Sequence, residues 1–123
     1  MSDIRTNTIS DLAGTGPVTL TKQSAAKAWA NLNGTGTIVL RDSANVSSVT
    51  DSGTGLYEFN LTNSMVDTNY APCSTSGNYL GFISTDNGAY ASGLLPIISR
   101  QSNNPNTAVD NARITMAIFG DLA

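Results

Sequence analysis

The chain of 123 residues has no histidine. That removes the commonest general base, the commonest metal-binding side chain and the one group that titrates near neutrality unaided. Ser-His-Asp and Cys-His arrangements are excluded within a single chain. Cys73 is the only cysteine, so no intrachain disulfide can close and no structural zinc site can be built. Its neighbours Pro72 and Ser74 bring no cation to lower a thiol pKa, and it reads as a small buried or bystander residue. Charge is scarce as well: 12% of residues are Asp, Glu, Lys or Arg, about half the usual share. Six Lys and Arg against nine Asp and Glu leave a net charge of −3, which is no footprint for nucleic acid. No apolar run is long enough to cross a bilayer as a helix. The N-terminal MSDIRTNTIS lacks the apolar centre of a signal peptide, so synthesis and assembly in a cytoplasm are expected. Neither a P-loop nor a Gly-x-Gly-x-x-Gly pattern is present. These absences lead us to expect a non-enzymatic protein without cofactor or metal.

Two carboxylates alone suffice for glycoside hydrolysis, and Asp42, Asp51, Glu58, Asp67 and Asp86 are available. Each has a plainer role: Asp51 and Asp86 sit at turns, where Asp bonds its own backbone, and Glu58 falls on the wet face of a strand. Asp67-Thr68-Asn69 and Asp86-Asn87-Gly88 offer oxygens without the ligand spacing of a calcium loop.

What the chain does have is Ser, Thr and Asn, together 42 of its 123 residues. Such a surface is neutral and hydrogen-bonding, which suits β-structured assembly proteins and sugar binders alike. With 40% hydrophobic residues it can fill a core, against disorder, and its length is that of one domain. Residues 1–17 read as an extended arm with sparse apolar residues, Ile4, Ile9 and Leu12, and with Arg5 between them; it ends in Gly14-Thr15-Gly16-Pro17. Residues 18–123 read as the folded domain. Lys22–Ala28 (KQSAAKA) fits one helical turn or a continuing strand equally.

Turn chemistry punctuates the rest. Asn33-Gly34 is a hairpin signal because both residues tolerate positive φ, and Gly34, Gly36, Gly53 and Gly55 belong to two Gly-Thr-Gly turns. Between them lie TIVLR (37–41) and the weaker ANVSSVT (44–50). LYEFNLT (56–62) alternates Tyr57, Phe59 and Leu61 with Glu58 and Asn60, so one face is buried and one wet. Leu94 to Ile98 surround Pro96, which suggests an edge strand or bulge. Asn103-Asn104-Pro105-Asn106 reads as a surface loop, and ARITMAIF (112–119) places Ile114, Met116 and Ile118 on one face. Short strands with regular turn signals indicate an all-β fold, a single β-sandwich or barrel-like (jelly-roll-like) domain. Trp29, Tyr57, Phe59, Leu61, Ile114, Met116 and Ile118 are the expected core. Tyr70, Tyr79 and Tyr90, with Asn103 and Asn104, are the candidates for exposed contacts, since aromatic faces suit apolar sugar faces.

The order of residues in Lys27–Tyr70, KAW.N.NGTGT...R.S.NVSS.TD.GTG.Y, resembles a module of tail-fibre-like structural proteins of tailed bacteriophages. A preceding arm like Ile4–Leu20 (IRTNTISDLAGTGPVTL) accompanies it there. The resemblance implies a virion protein, homotrimeric, attached to other particle proteins and in contact with a host surface glycan, with no membrane insertion. The chain lacks the long shaft of such fibres, so a short knob, a tail adaptor or a capsid decoration (head-fibre) protein is expected in place of a long fibre. A free carbohydrate-binding module is the further alternative.

Overall fold

A computed structural model describes residues 25–77, 81–85, 90–101, 103–104 and 106–123. The expected arm with Ile4, Arg5, Ile9 and Leu12, and also Tyr79, lies outside the described residues. Among the described residues eight strands follow one another: β1 (Ala28–Asn33), β2 (Val39–Ala44), β3 (Val46–Gly53), β4 (Leu56–Leu61), β5 (Ala71–Ser76), β6 (Gly81–Thr85), β7 (Leu94–Gln101) and β8 (Ile114–Phe119). They form two four-stranded sheets, ordered β2-β1-β8-β5 and β3-β4-β7-β6. Every neighbouring pair is antiparallel. The chain is all-β, a sandwich, and contains no helix among the described residues.

Period-two alternation decides which side chains fill the space between the sheets. Tyr57, Phe59 and Leu61 of β4 are buried together with Leu95 and Ile97 of β7, Ile114, Met116 and Ile118 of β8, and Ala28, Ala30 and Leu32 of β1. The alanines of β1 offset the rings of β4 within this single cluster, as packing to native density requires. The same alternation overturns one expectation. With Ala28, Ala30 and Leu32 facing inward, Trp29 must face out, and it is 39% exposed. Trp29 is therefore a surface residue of the first sheet and no part of the core; strand register outweighs side-chain hydrophobicity here.

β2 and β3 form one bent strand that leaves the first sheet and enters the second, the way sandwich corners are made. The bend is at Asn45, the one non-glycine residue with positive φ (56°) among those described. Its amide grips the exit of β4: Oδ1 accepts the Asn63 N–H at 2.7 Å and Nδ2 donates to the Asn63 carbonyl at 3.0 Å. The β1–β2 turn also differs from the expected one. Asn33 pairs with Val39, so the connection spans residues 34–38, and positive φ falls at Gly36 (63°), not at Asn33 or Gly34. Gly34 is needed for space instead, because a Cβ there would collide with the Tyr57 hydroxyl oxygen. Pro96 sits within β7 opposite Glu58 of β4, and β7 lies between β4 and β6, so it is an interior strand and not the expected edge.

Candidate functional site

One end of the sandwich is tied together around Tyr57, whose ring is in the core and whose hydroxyl reaches the loops. The hydroxyl lies 2.9 Å from the Gly34 carbonyl oxygen and 2.8 Å from Asp110 Oδ1. The same Asp110 oxygen accepts the Gly55 N–H at 2.7 Å. Burial first, then the hydrogen bond and charge of Asp110 and the charge of Asp51, push the Tyr57 hydroxyl above the usual tyrosine range, so it stays protonated. Backbone bonds complete the seam. Gly34 N–H donates to Asn111 O at 2.9 Å, Val109 N–H to Ser99 O at 2.9 Å, and Gly77 N–H to Arg113 O at 2.7 Å. Gly55 fits only as glycine: its φ is +68°, and a Cβ would meet Ser99 O and Val109 N at 2.6 Å. The β1–β2 connection, the β3–β4 turn, the end of β5 and the segment before β8 thus hold a fixed arrangement.

An open cleft of about 480 Å³ lies at this end, lined by Thr35, Arg41, Gly77, Asp110, Asn111 and Arg113. Two of the four described Lys and Arg residues are therefore in one place. Arg41 Nη1 donates to Asn31 Oδ1 at 3.3 Å and to the Leu32 carbonyl at 3.4 Å. Arg113 is exposed and makes no side-chain hydrogen bond or ion pair with another described residue. Asn111 is 2% exposed; its Nδ2 donates to Ser99 Oγ, and its Oδ1 is buried without a partner. Exchanging the amide oxygen and nitrogen would orphan the nitrogen instead, so either orientation leaves one polar atom unpaired.

No family profile, curated protein or solved structure matches the chain. The site is therefore read from its own chemistry.

A second hollow, about 200 Å³, is lined by Met65, Val66, Asp67, Asn69, Tyr70 and Asp121. Asp67 is already satisfied there, Oδ1 by the Asn69 N–H at 2.7 Å and Oδ2 by Asn69 Nδ2 at 2.8 Å. Among the described residues no group of three or more acidic, Cys or His side chains is placed to hold a metal.

Of the expected contact residues, Tyr70 is corrected: it is 6% exposed. Its hydroxyl donates to the Leu94 carbonyl at 2.8 Å, and its ring stacks on the half-buried Tyr90 with centroids 5.3 Å apart. Burial, with Tyr90 adding to it, pushes the Tyr70 hydroxyl up to about 12. The polar run before Tyr70 reads as a surface loop, yet that loop folds its last ring inward to cap the core. Asn103 and Asn104 are exposed, and Asn104 shapes its own loop by accepting the Thr107 N–H at 2.9 Å. Asp110, Asn111 and Arg113 were not singled out from the sequence. The signal was there, a DNAR cluster (110–113) in a charge-poor chain.

The outer face of the first sheet is the other surface of note. Register places Ala44, Trp29, Ala117 and Cys73 in one row across it, and Asp42, Asn31, Thr115 and Thr75 in the next. Thr75 and Thr115 join their hydroxyls at 2.7 Å. The face carries the exposed Trp29, with Asp42 and the Arg41 bonded to Asn31 as its charged groups.

Proposed function

We propose that the chain is a non-enzymatic structural protein of a tailed-phage particle: a short trimeric fibre, knob or tail adaptor that attaches to the particle and meets the host surface. The resemblance of Lys27–Tyr70 to tail-fibre-like proteins motivates this reading, and those residues supply β1 to β4, the scaffold of both sheets. The observation that supports it in the geometry is the scarcity of charge on the described edge strands. None of the four edge strands contains a lysine, and β5 (APCSTS) has no charge at all. A monomer normally guards such edges with charge, and here β5 borders the Trp29 face. Subunits that pair across this edge and face would cover both.

Mass measurement in solution tests the assembly. A trimer is expected, and a clean monomer at micromolar concentration would count heavily against it. Deleting residues 2–17 should abolish the trimer or attachment to the particle; normal assembly of the truncated protein would remove the arm from the proposal. Locating the chain within purified particles separates tail from capsid, the latter being the decoration or head-fibre alternative.

A further inference from the structure

We propose that Asn33-Gly34 is a self-modification site, where spontaneous deamidation forms aspartate and isoaspartate, and that the fold blocks this reaction until the β1–β2 connection opens. This goes beyond the particle reading and does not depend on it.

The reaction needs only water. The Gly34 backbone nitrogen gives up its proton to solvent and attacks Asn33 Cγ. The new C–N bond closes a succinimide ring, and the side-chain nitrogen takes up a proton and leaves as ammonia. Water then opens the ring. Cleavage at Cγ leaves aspartate in an ordinary chain, whereas cleavage at the Asn33 main-chain carbonyl leaves isoaspartate. Asparagine is among the thermolabile residues, and a following glycine, having no Cβ, leaves the attacking nitrogen open. That glycine cannot be exchanged here, because a Cβ at Gly34 would collide with the Tyr57 hydroxyl oxygen. The packing of the sandwich end therefore requires the very dipeptide that reacts.

The same packing engages the atoms that the reaction uses. Gly34 is buried, and its N–H donates to the Asn111 carbonyl at 2.9 Å, so the proton that must leave is held. Its carbonyl oxygen lies 2.9 Å from the Tyr57 hydroxyl, which fixes the residue from its other side. Asn33 pairs with Val39 as the last residue of β1, so its backbone is held extended. Its carboxamide is tied to Thr35: Oδ1 accepts the Thr35 hydroxyl at 2.9 Å, and Nδ2 donates to the Thr35 carbonyl at 3.4 Å. Ring closure needs rotation of the Asn33 backbone and release of the Gly34 N–H together. Exposure of the side chain alone is not enough; the seam must open locally first.

Opening then has a chemical consequence. Isoaspartate inserts a methylene into the main chain ahead of Gly34, so its N–H and carbonyl no longer reach Asn111 and Tyr57 together. A reversible opening becomes a one-way step, and the modified molecules stay loosened at this end.

The test incubates the full-length protein at mildly alkaline pH, folded in buffer and unfolded in urea, and follows acid formed at residue 33 by peptide mass spectrometry. Conversion should be at least about tenfold slower in the folded protein, since it waits on local opening. Tyr57→Phe, which frees the Gly34 carbonyl, should raise the folded-state rate at least about threefold and leave the rate in urea unchanged. The isoaspartate form, separated by chromatography, should unfold at lower urea than its parent. Equal rates in buffer and urea would overturn the block, and an unreactive Asn33 in urea would overturn the site itself. A Tyr57→Phe rate equal to the parent's in buffer would show that this seam is not the gate. An isoaspartate form with the parent's urea midpoint would remove the one-way step.

Discussion

Replacing Tyr57 by Phe removes a single oxygen and keeps the ring in the core, where it is 1% exposed. That oxygen touches two acceptors, Gly34 O at 2.9 Å and Asp110 Oδ1 at 2.8 Å. It carries one proton, so its worth is that of one strong bond rather than two. A hydrogen bond to a carboxylate contributes about 1.5–3 kcal/mol. Asp110 is exposed and keeps the Gly55 N–H, so water repairs part of its loss, while the buried Gly34 carbonyl loses its hydroxyl neighbour. The expected cost is about 2 kcal/mol, a sizeable share of a typical 5–15 kcal/mol. In a melt this is a drop on the order of 5–10 °C. Urea unfolding of Tyr57→Phe, Asp110→Asn and the double variant gives the coupling directly, expected at about 1 kcal/mol or more. A loss below about 0.5 kcal/mol together with additive single variants would refute the idea that this hydroxyl ties the loops of the sandwich end.

Gly55→Ala should cost more than about 2 kcal/mol in urea, because positive φ strain adds to a backbone clash that no rotamer relieves; near-wild-type stability would be inconsistent with the close approach to Ser99 and Val109. Phe59→Ala should cost about 3–5 kcal/mol, whereas Trp29→Ala should cost less than about 1 kcal/mol in the monomer. Ready quenching of Trp29 fluorescence by acrylamide in the dissociated chain, with protection in the assembled trimer, checks the same exposure. Alkaline pH should destabilise the fold. Tyr57 and Tyr70 keep their protons above the ordinary tyrosine range, while the unfolded chain gives them up near pH 10. Their contribution is complete below pH 10 and declines as pH rises toward about 12 for Tyr70. Urea midpoints that stay flat across that window, or tyrosinate absorbance that develops fully near pH 10, would contradict this.

Much of the scaffold was legible in the residues. The alternation of Tyr57, Phe59 and Leu61 and of Ile114, Met116 and Ile118 is set by strand periodicity, and all six are buried. Trp29 shows where composition misleads. Strand alternation puts Ala28, Ala30 and Leu32 on the face opposite Trp29, and the size of the indole suggested otherwise. Tyr70 is the reverse case, because a loop's path is settled by long-range contacts such as its bond to Leu94, which no local pattern encodes. The cleft was illegible for the same reason. Asn111 is far in sequence from Thr35 and Arg41 and meets them because Gly34 hands its N–H to Asn111 and its carbonyl to Tyr57.

The place of β8 in the first sheet has a consequence for biosynthesis. This strand lies between β1 and β5, yet it follows the other seven strands in the chain. A nascent chain therefore emerges from the ribosome with the β1–β2 hairpin and β5 unable to join, and with Leu95 and Ile97 of β7 uncovered. Domains fold as units once complete, and non-local pairing is slow. The first sheet can therefore be completed only after residues 114–119 have cleared the exit tunnel.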